Sequence, residues 1–156
     1  MTQLNANWVF LPRFHPGDEN FKKGYYDSFL DHISLRWAQS SLFKNISDIL
    51  PAADLVVSLF STVGIEAVYK RKRVIDYLPP YVCDRLEELT GERTWNPAEL
   101  GATQKADSEE TLIKSIKYLF SEKGFAELQK NQERFYPTLQ AGDSARKILE
   151  TIESVK

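Results

Sequence analysis

Residues 54–67, DLVVSLFSTVGIEA, decide the fold. The run 54–60 is apolar almost throughout, which is typical of a strand in a parallel sheet with both faces covered. The small residues at 61–64 turn the chain, and the pattern continues as a helix through residues 65–69. A strand that leads through a short turn into a helix is the building unit of a parallel α/β fold.

The segments on either side extend this pattern. The other predicted strands are short runs rich in β-branched or aromatic residues: 8–11, 33–37 and 73–77,. Apolar residues at helical spacing predict helices over 18–31, 107–120, 125–135 and 143–155,. N-cap candidates at 45–48 predict a short helix over 45–53, and a further helix is expected over 82–89,. Asp107 and Glu110 have the spacing of a capping box, and residues 90–105 are expected to be irregular. Strands that alternate with helices predict right-handed crossovers between parallel strands. We therefore expect an α/β protein, a Rossmann-like parallel sheet flanked by helices with a helical C-terminal tail.

Composition excludes several classes of protein. The 156 residues carry a formal net charge of −2, so the chain lacks the basic excess of a general nucleic-acid binder,. Its longest apolar stretch, near residues 55–60, is much shorter than the roughly 20 residues of a membrane span. Cys83 is the single cysteine, which predicts a reducing, cytoplasmic setting,. The length predicts one domain, residues 1–156.

The candidate binding residues follow the strand at 54–60. In open α/β sheets, ligands bind outside the carboxyl ends of the strands. Ser61 and Thr62 stand where a helix N-terminus offers backbone N–H groups to a phosphate, and Gly64 would let a ligand approach the backbone. Glu66, expected in the first helical turn, is placed to accept hydrogen bonds from ribose hydroxyls. The same residues also fit a purely structural role, in which the serine caps the helix, the glycine packs and the glutamate favours the helix N-terminus.

Arg13 and His15 form a second candidate group after the first predicted strand. Arg13 could pair with a phosphate, and His15, held beside a proline, could act as a general base or donate to a phosphate. A polar surface turn is the alternative. The other histidine, His32, is expected to be structural.

Three further kinds of site find little support in the sequence. The basic run 70–73 is expected to be a solvated turn at the opposite edge of the sheet rather than a nucleic-acid or membrane surface,. One cysteine and two separated histidines give no metal-ligand cluster, so no metal is expected. No Gly-x-Ser-x-Gly elbow surrounds Ser61, which argues against a serine hydrolase.

The order of these motifs resembles the donor-binding domain of GT-B fold glycosyltransferases, above all the bacterial capsule polysaccharide and lipopolysaccharide transferases. More loosely, it is similar to the UDP-N-acetylglucosamine 2-epimerase group. The matching segments are Ala52-Ala53-Asp54, residues 61–67, Val74-Ile75, Arg13-Phe14-His15-Pro16 and the tail near 142–145. Two positions depart from the family pattern. Arg71 replaces a glycine and Arg73 a proline, and the first change predicts a strained left-handed turn.

The resemblance implies roles for the candidate residues. Ser61, Thr62 and Gly64 would hold the phosphates of a nucleotide sugar such as a UDP- or CMP-sugar, and Glu66 would bind its ribose. Arg13 would belong to the nucleotide-sugar site, and His15 would face the phosphate or the reacting centre as the catalytic residue. No further cofactor is implied.

The resemblance covers only the C-terminal half of such an enzyme. It implies a transferase domain in polysaccharide or glycoconjugate synthesis that is inactive without an N-terminal acceptor-binding domain or a separate subunit. Any membrane association would then come through that partner. Two alternatives stay open at this point, a non-catalytic α/β interaction module and half of a nucleotide-sugar epimerase.

Overall fold

The computed structural model describes residues 8–13, 36–37, 45–138 and 143–154. The chain divides into two units, Met1–Asp48 and Ile49–Lys156. In the first unit, strand β1 (Val9–Phe10) pairs in parallel with strand β2 (Arg36–Trp37). These strands confirm the two predicted near the N-terminus, while the helix predicted over 18–31 lies outside the described residues. The single-domain assignment stays a prediction.

The second unit is built on a parallel three-stranded sheet in the order β3-β4-β5. The strands are β3 (Leu55–Ser58), β4 (Arg73–Tyr77) and β5 (Gln104–Ala106). The register places Val56 opposite Val74 and Ile75 opposite Gln104. The parallel α/β class predicted from the sequence is therefore confirmed.

Helices connect and flank these strands. The described helices are α1 (Ile46–Ile49), continued by a 3₁₀ turn (Leu50–Ala52), α2 (Thr62–Tyr69), α3 (Pro80–Thr90), α4 (Asn96–Glu99), α5 (Glu109–Leu119), α6 (Glu122–Phe135) and α7 (Asp143–Ser154). Helix α2 is the crossover between β3 and β4, and the last three helices form the predicted helical tail. Among the described residues, none of the helices combines the length and the apolar character that a bilayer crossing requires.

The core lies around β4 rather than β3. Val74 and Ile75 of β4 have no exposed surface, and Ala67 and Val68 of α2 are equally buried. By contrast, Val57 of β3 keeps 44% of its surface exposed, so the expectation that β3 is covered on both faces is wrong. The apolar composition of β3 predicted a strand correctly, but composition does not say which strand is central.

Two local expectations are also wrong. Residues 90–105, expected to be irregular, contain α4 and the start of β5. Helix α5 is capped one residue later than predicted, because Ser108 accepts from the Thr111 N–H at 3.3 Å while the Thr111 hydroxyl oxygen accepts from the Ser108 N–H at 3.0 Å. The reciprocal pair satisfies the backbone donors of Ser108 and Thr111, each one position after the donors that an Asp107–Glu110 box would satisfy,.

Candidate functional site

The turn between β3 and α2 lies at the carboxyl end of the sheet. Ser61 is the N-cap of α2, with φ −108° and ψ 144°, and its Oγ accepts from the Val63 N–H at 3.3 Å. The Ser58 Oγ in turn accepts from the Ser61 N–H at 3.3 Å, and the Gly64 N–H donates to the Ser61 carbonyl oxygen at 2.9 Å. The serines thus fix where the helix begins, which is the structural role left open by the sequence.

Phe60 enters this turn with strained backbone. Its φ is 35°, a value that residues other than glycine rarely adopt,. Its ring packs edge-on against Trp95, with 6.4 Å between the ring centroids. Strain of this kind persists only where surrounding contacts enforce it, and it is concentrated at ligand sites and switch regions.

Gly64 packs the first turn of α2 against the sheet. A Cβ at this position would lie 3.0 Å from the Ser58 Oγ and 3.5 Å from Asp76 Oδ1. Close packing alone therefore explains why glycine stands here. The role of Gly64 in admitting a ligand stays a prediction.

Glu66 lies further along α2 than expected. Because the helix begins at Thr62, its first turn contains no acidic residue, and the placement of Glu66 in the first turn is wrong. The residue is partly exposed, one turn beyond the cap. Thr62 itself is exposed at the start of the helix. The structure thus brings Ser61, Thr62, Gly64 and Glu66 together on one turn and the helix that follows it.

Asp76, on β4, is a buried carboxyl group behind this turn. It has no exposed surface, and its Oδ2 accepts from the Thr103 hydroxyl at 2.5 Å. Oδ1 has no hydrogen-bond partner within the described part of the chain, and neither does the Trp95 indole nitrogen. The indole N–H lies close enough to stabilise the carboxylate, but the two groups do not form a well-aligned hydrogen bond.

Burial controls the ionisation of Asp76. Desolvation raises its pKa from 3.8 to about 6, against smaller lowering contributions from Thr103 and Trp95,. Sequence reasoning treated Asp76 only as part of a strand. The available signal was an acidic residue within the apolar segment Arg73–Tyr77, next to the predicted binding edge.

The opposite end of α2 carries the basic run 70–73, which is not a simple solvated turn. Arg71 has φ 56°, so the left-handed turn predicted at this position is present. Its guanidinium donates to the Val68 and Tyr136 carbonyl oxygens at 3.1 and 3.0 Å and to Thr138 Oγ1 at 3.2 Å. The Lys72 Nζ donates to the Pro51 carbonyl oxygen at 2.6 Å.

Arg73, the first residue of β4, connects this strand to the helical tail. Its Nε donates to the Leu119 carbonyl oxygen at 2.8 Å, at the end of α5. Its guanidinium also lies 3.9 Å from the Phe125 ring centroid and 4.8 Å from that of Phe120. Arg71 and Arg73 therefore connect the end of α2 and the start of β4 to the helical tail,.

The remaining candidates lie elsewhere. Arg13 is an exposed residue of the first unit, and His15 and His32 lie outside the described residues. A depression of about 200 Å³ is bordered by Gln104, Tyr118 and Asn131 and includes none of the predicted site residues. No group of three or more potential metal-ligating side chains occurs in the ranges that the structure describes, and metal independence stays a prediction.

The fold defines the class, an α/β domain with a parallel sheet and a helical C-terminal tail. No family model matches the chain, and neither the curated proteins nor the solved structures gave a match. The turn between β3 and α2 is therefore the feature from which a function can be inferred.

Proposed function

We propose that this chain is the nucleotide-sugar donor-binding domain of a GT-B type glycosyltransferase that acts in polysaccharide or glycoconjugate synthesis. The observation that carries the proposal is the turn from Phe60 to Gly64. It is strained, it ends at a capped helix N-terminus, and it lies at the carboxyl edge of a parallel sheet. This is the position at which open α/β sheets bind their ligands.

The phosphates of the donor bind at the start of α2. The first backbone N–H groups of a helix have no carbonyl partner within that helix, and the helix dipole favours an anion there. The Val63 N–H is held by Ser61 Oγ at 3.3 Å, which is long for a hydrogen bond,. A phosphate oxygen can replace this contact, with the hydroxyl groups of Ser61 and Thr62 as additional donors.

Glu66 binds the ribose. A carboxylate accepts hydrogen bonds from two neighbouring hydroxyl groups, and Glu66 is partly exposed one turn after the phosphate position,. Hydrogen bonds to charged groups contribute about 1.5–3 kcal/mol, so this contact supplies a substantial part of the affinity for a nucleotide.

Sugar transfer would also need groups that lie outside this turn. Transfer requires an acceptor-binding domain or subunit, and His15 and Arg13 would assist at the phosphate or the reacting centre. The single free cysteine, Cys83, fits a reducing compartment, so a cytoplasmic location belongs to the proposal,. Neither a metal nor a nucleic acid takes part.

Calorimetric titration of the full chain with UDP, CMP and GDP tests the proposal. We expect at least one nucleotide to bind at micromolar to millimolar concentration, and Glu66→Gln to weaken that binding by about tenfold or more. Glu133→Gln, an exposed position on α6, is the matched control and should leave binding unchanged. Absence of binding for all three nucleotides at millimolar concentration would favour an interaction module. Equal affinities of the Glu66 variant and the control would remove the ribose role.

A further inference from the structure

Helix α7 carries an apolar stripe that is exposed to solvent. Ile148 and Leu149 each keep 59% of their surface exposed, and Ile152 keeps 55%. With Ala145, also exposed, these side chains recur at the spacing of one helix face,. A helix of this length is marginal in water without tertiary packing. The stripe therefore marks a surface that another element covers.

The charges beside the stripe identify the occupant. Arg146 and Glu153 are separated by two helical turns and lie on the same flank of the stripe,. One flank thus presents a cation near the start of the helix and an anion near its end. In an antiparallel pair of helices, a flank faces the same flank of the second helix, so the order of charges along it is reversed.

We propose that α7 pairs with α7 of a second copy of this chain in an antiparallel, two-fold symmetric contact. With Leu149 packed against Ile152 of the second copy, Arg146 of each copy lies beside Glu153 of the other. The contact is self-complementary, as a two-fold interface requires. A parallel pair would instead place this flank against the opposite flank of the second helix, where Thr151 carries no charge, and would form no such ion pairs.

The existing ion pair of Arg146 is compatible with this arrangement. Its Nε lies 4.0 Å from Glu150 Oε1 of the same helix, and both side chains are about two-thirds exposed, 68% and 66%. Exposed pairs of this kind contribute little, so this pair opposes the contact with Glu153 of the second copy only weakly. Three exposed aliphatic side chains per copy make a small interface, which predicts a weak dimer,.

Sedimentation equilibrium of the full chain at low salt, from about 10 µM to about 1 mM, tests the proposal, because salt screens exposed ion pairs. We expect Arg146→Glu and Glu153→Arg each to weaken the dimer by about tenfold. The double variant, which restores opposite charges across the contact, should return the dissociation constant to within about threefold of the unmodified chain. Glu133→Arg on α6 serves as the control and should have no effect.

The direction of the single-variant effects separates pairing from helix stability. An acidic residue near the start of a helix and a basic residue near its end both favour the helix dipole. Arg146→Glu also removes the pair with Glu150, so Glu153→Arg separates the two effects: if it acted only on helix content, measured by circular dichroism, it would not weaken association,. A monomer at millimolar concentration would overturn the proposal. A double variant as weak as the single ones would do the same.

Discussion

At the amino end of α2, Phe60 has a φ of 35°, and at the carboxyl end Arg71 has a φ of 56°. Residues other than glycine rarely adopt such positive φ values. At the carboxyl end, the strained residue supplies its own compensation, since Arg71 donates hydrogen bonds to Val68, Tyr136 and Thr138. The neighbouring Arg73 adds a hydrogen bond and two aromatic contacts.

The polar groups near the amino end of α2 are hydrogen-bonded less completely. Behind its turn, Asp76 Oδ1 and the Trp95 indole nitrogen are buried without partners within the described residues. The helix cap is a single hydrogen bond of 3.3 Å. Strain that is fully compensated marks a structural joint, while strain beside unpaired polar atoms marks a place where the fold gives up stability. The contacts at the carboxyl end are therefore structural, and the unpaired groups at the amino end support the ligand site proposed there.

Among the substitutions that test this comparison, Asp76→Asn should change the stability of the protein most. The raised pKa means that the folded state holds its proton between pH 3.8 and about 6 while the unfolded state has lost it,. The cost of burying the carboxylate is therefore absent below pH 3.8, grows as the pH rises, and reaches up to about 3 kcal/mol above the folded pKa. Asparagine keeps an acceptor for Thr103 without the charge. From pH 4 to pH 7.5, the free energy of unfolding of the variant should therefore rise by about 2–3 kcal/mol relative to that of the unmodified chain,.

Urea unfolding at a series of pH values measures this difference. Asp54→Asn, at an exposed position before β3, is the matched control and should follow the unmodified chain closely. If the free energies of unfolding of the Asp76 variant and the unmodified chain differ by the same amount at every pH in this range, the buried carboxylate is not a source of instability.

Arg73→Ala should destabilise the protein by about 2 kcal/mol. It removes the hydrogen bond to the end of α5 and the contacts with two rings, both partly shielded from water,. Lys70→Ala, at an exposed position of the same basic run, should change the free energy of unfolding by less than about 0.5 kcal/mol,. Equal effects of the two substitutions in urea unfolding would mean that the basic run is solvated after all.

Arg71 allows the strain itself to be measured. Arg71→Gly and Arg71→Ala both remove the three hydrogen bonds of the side chain, but only glycine relieves the positive φ,. We expect the glycine variant to be about 1 kcal/mol more stable than the alanine variant in thermal unfolding. Equal stabilities would show that the left-handed conformation at Arg71 carries no cost.

Ser61→Ala should give the smallest change in stability. The substitution removes one long hydrogen bond to Val63, so we expect a loss of about 0.5 kcal/mol, at the low end for an N-cap,. Its effect on nucleotide affinity should be larger than its effect on unfolding. A loss of 2 kcal/mol or more in urea unfolding would show that the cap is needed chiefly for stability.

The sequence predicts the strand–turn–helix unit well because that unit is local. The apolar run of β3, the small residues of the turn and the apolar spacing of α2 are all present within residues 54–69. The strand Arg73–Tyr77 is also confirmed with the predicted bounds. These elements place Ser61 and Thr62 at the edge of the sheet without any long-range information.

The missed features depend on contacts between distant parts of the chain. Strand β5 reads Gln-Lys-Ala, which has neither alternation nor β-branched residues, and it is a strand because it pairs with β4,. Asp76 meets Thr103 across a sequence separation of 27 residues. No local pattern reports such a contact, so the sequence shows an acidic residue within a predicted strand but neither its burial nor its partner.

The central claim is that a nucleotide phosphate binds at the amino end of α2. Its most direct test is a titration of the isotope-labelled full chain with UDP, CMP and GDP, followed through the backbone amide signals by NMR. We expect saturable shifts in residues 61–66 with at least one nucleotide. The result that would contradict the claim is the absence of shifts at millimolar nucleotide, or shifts confined to the depression near Asn131.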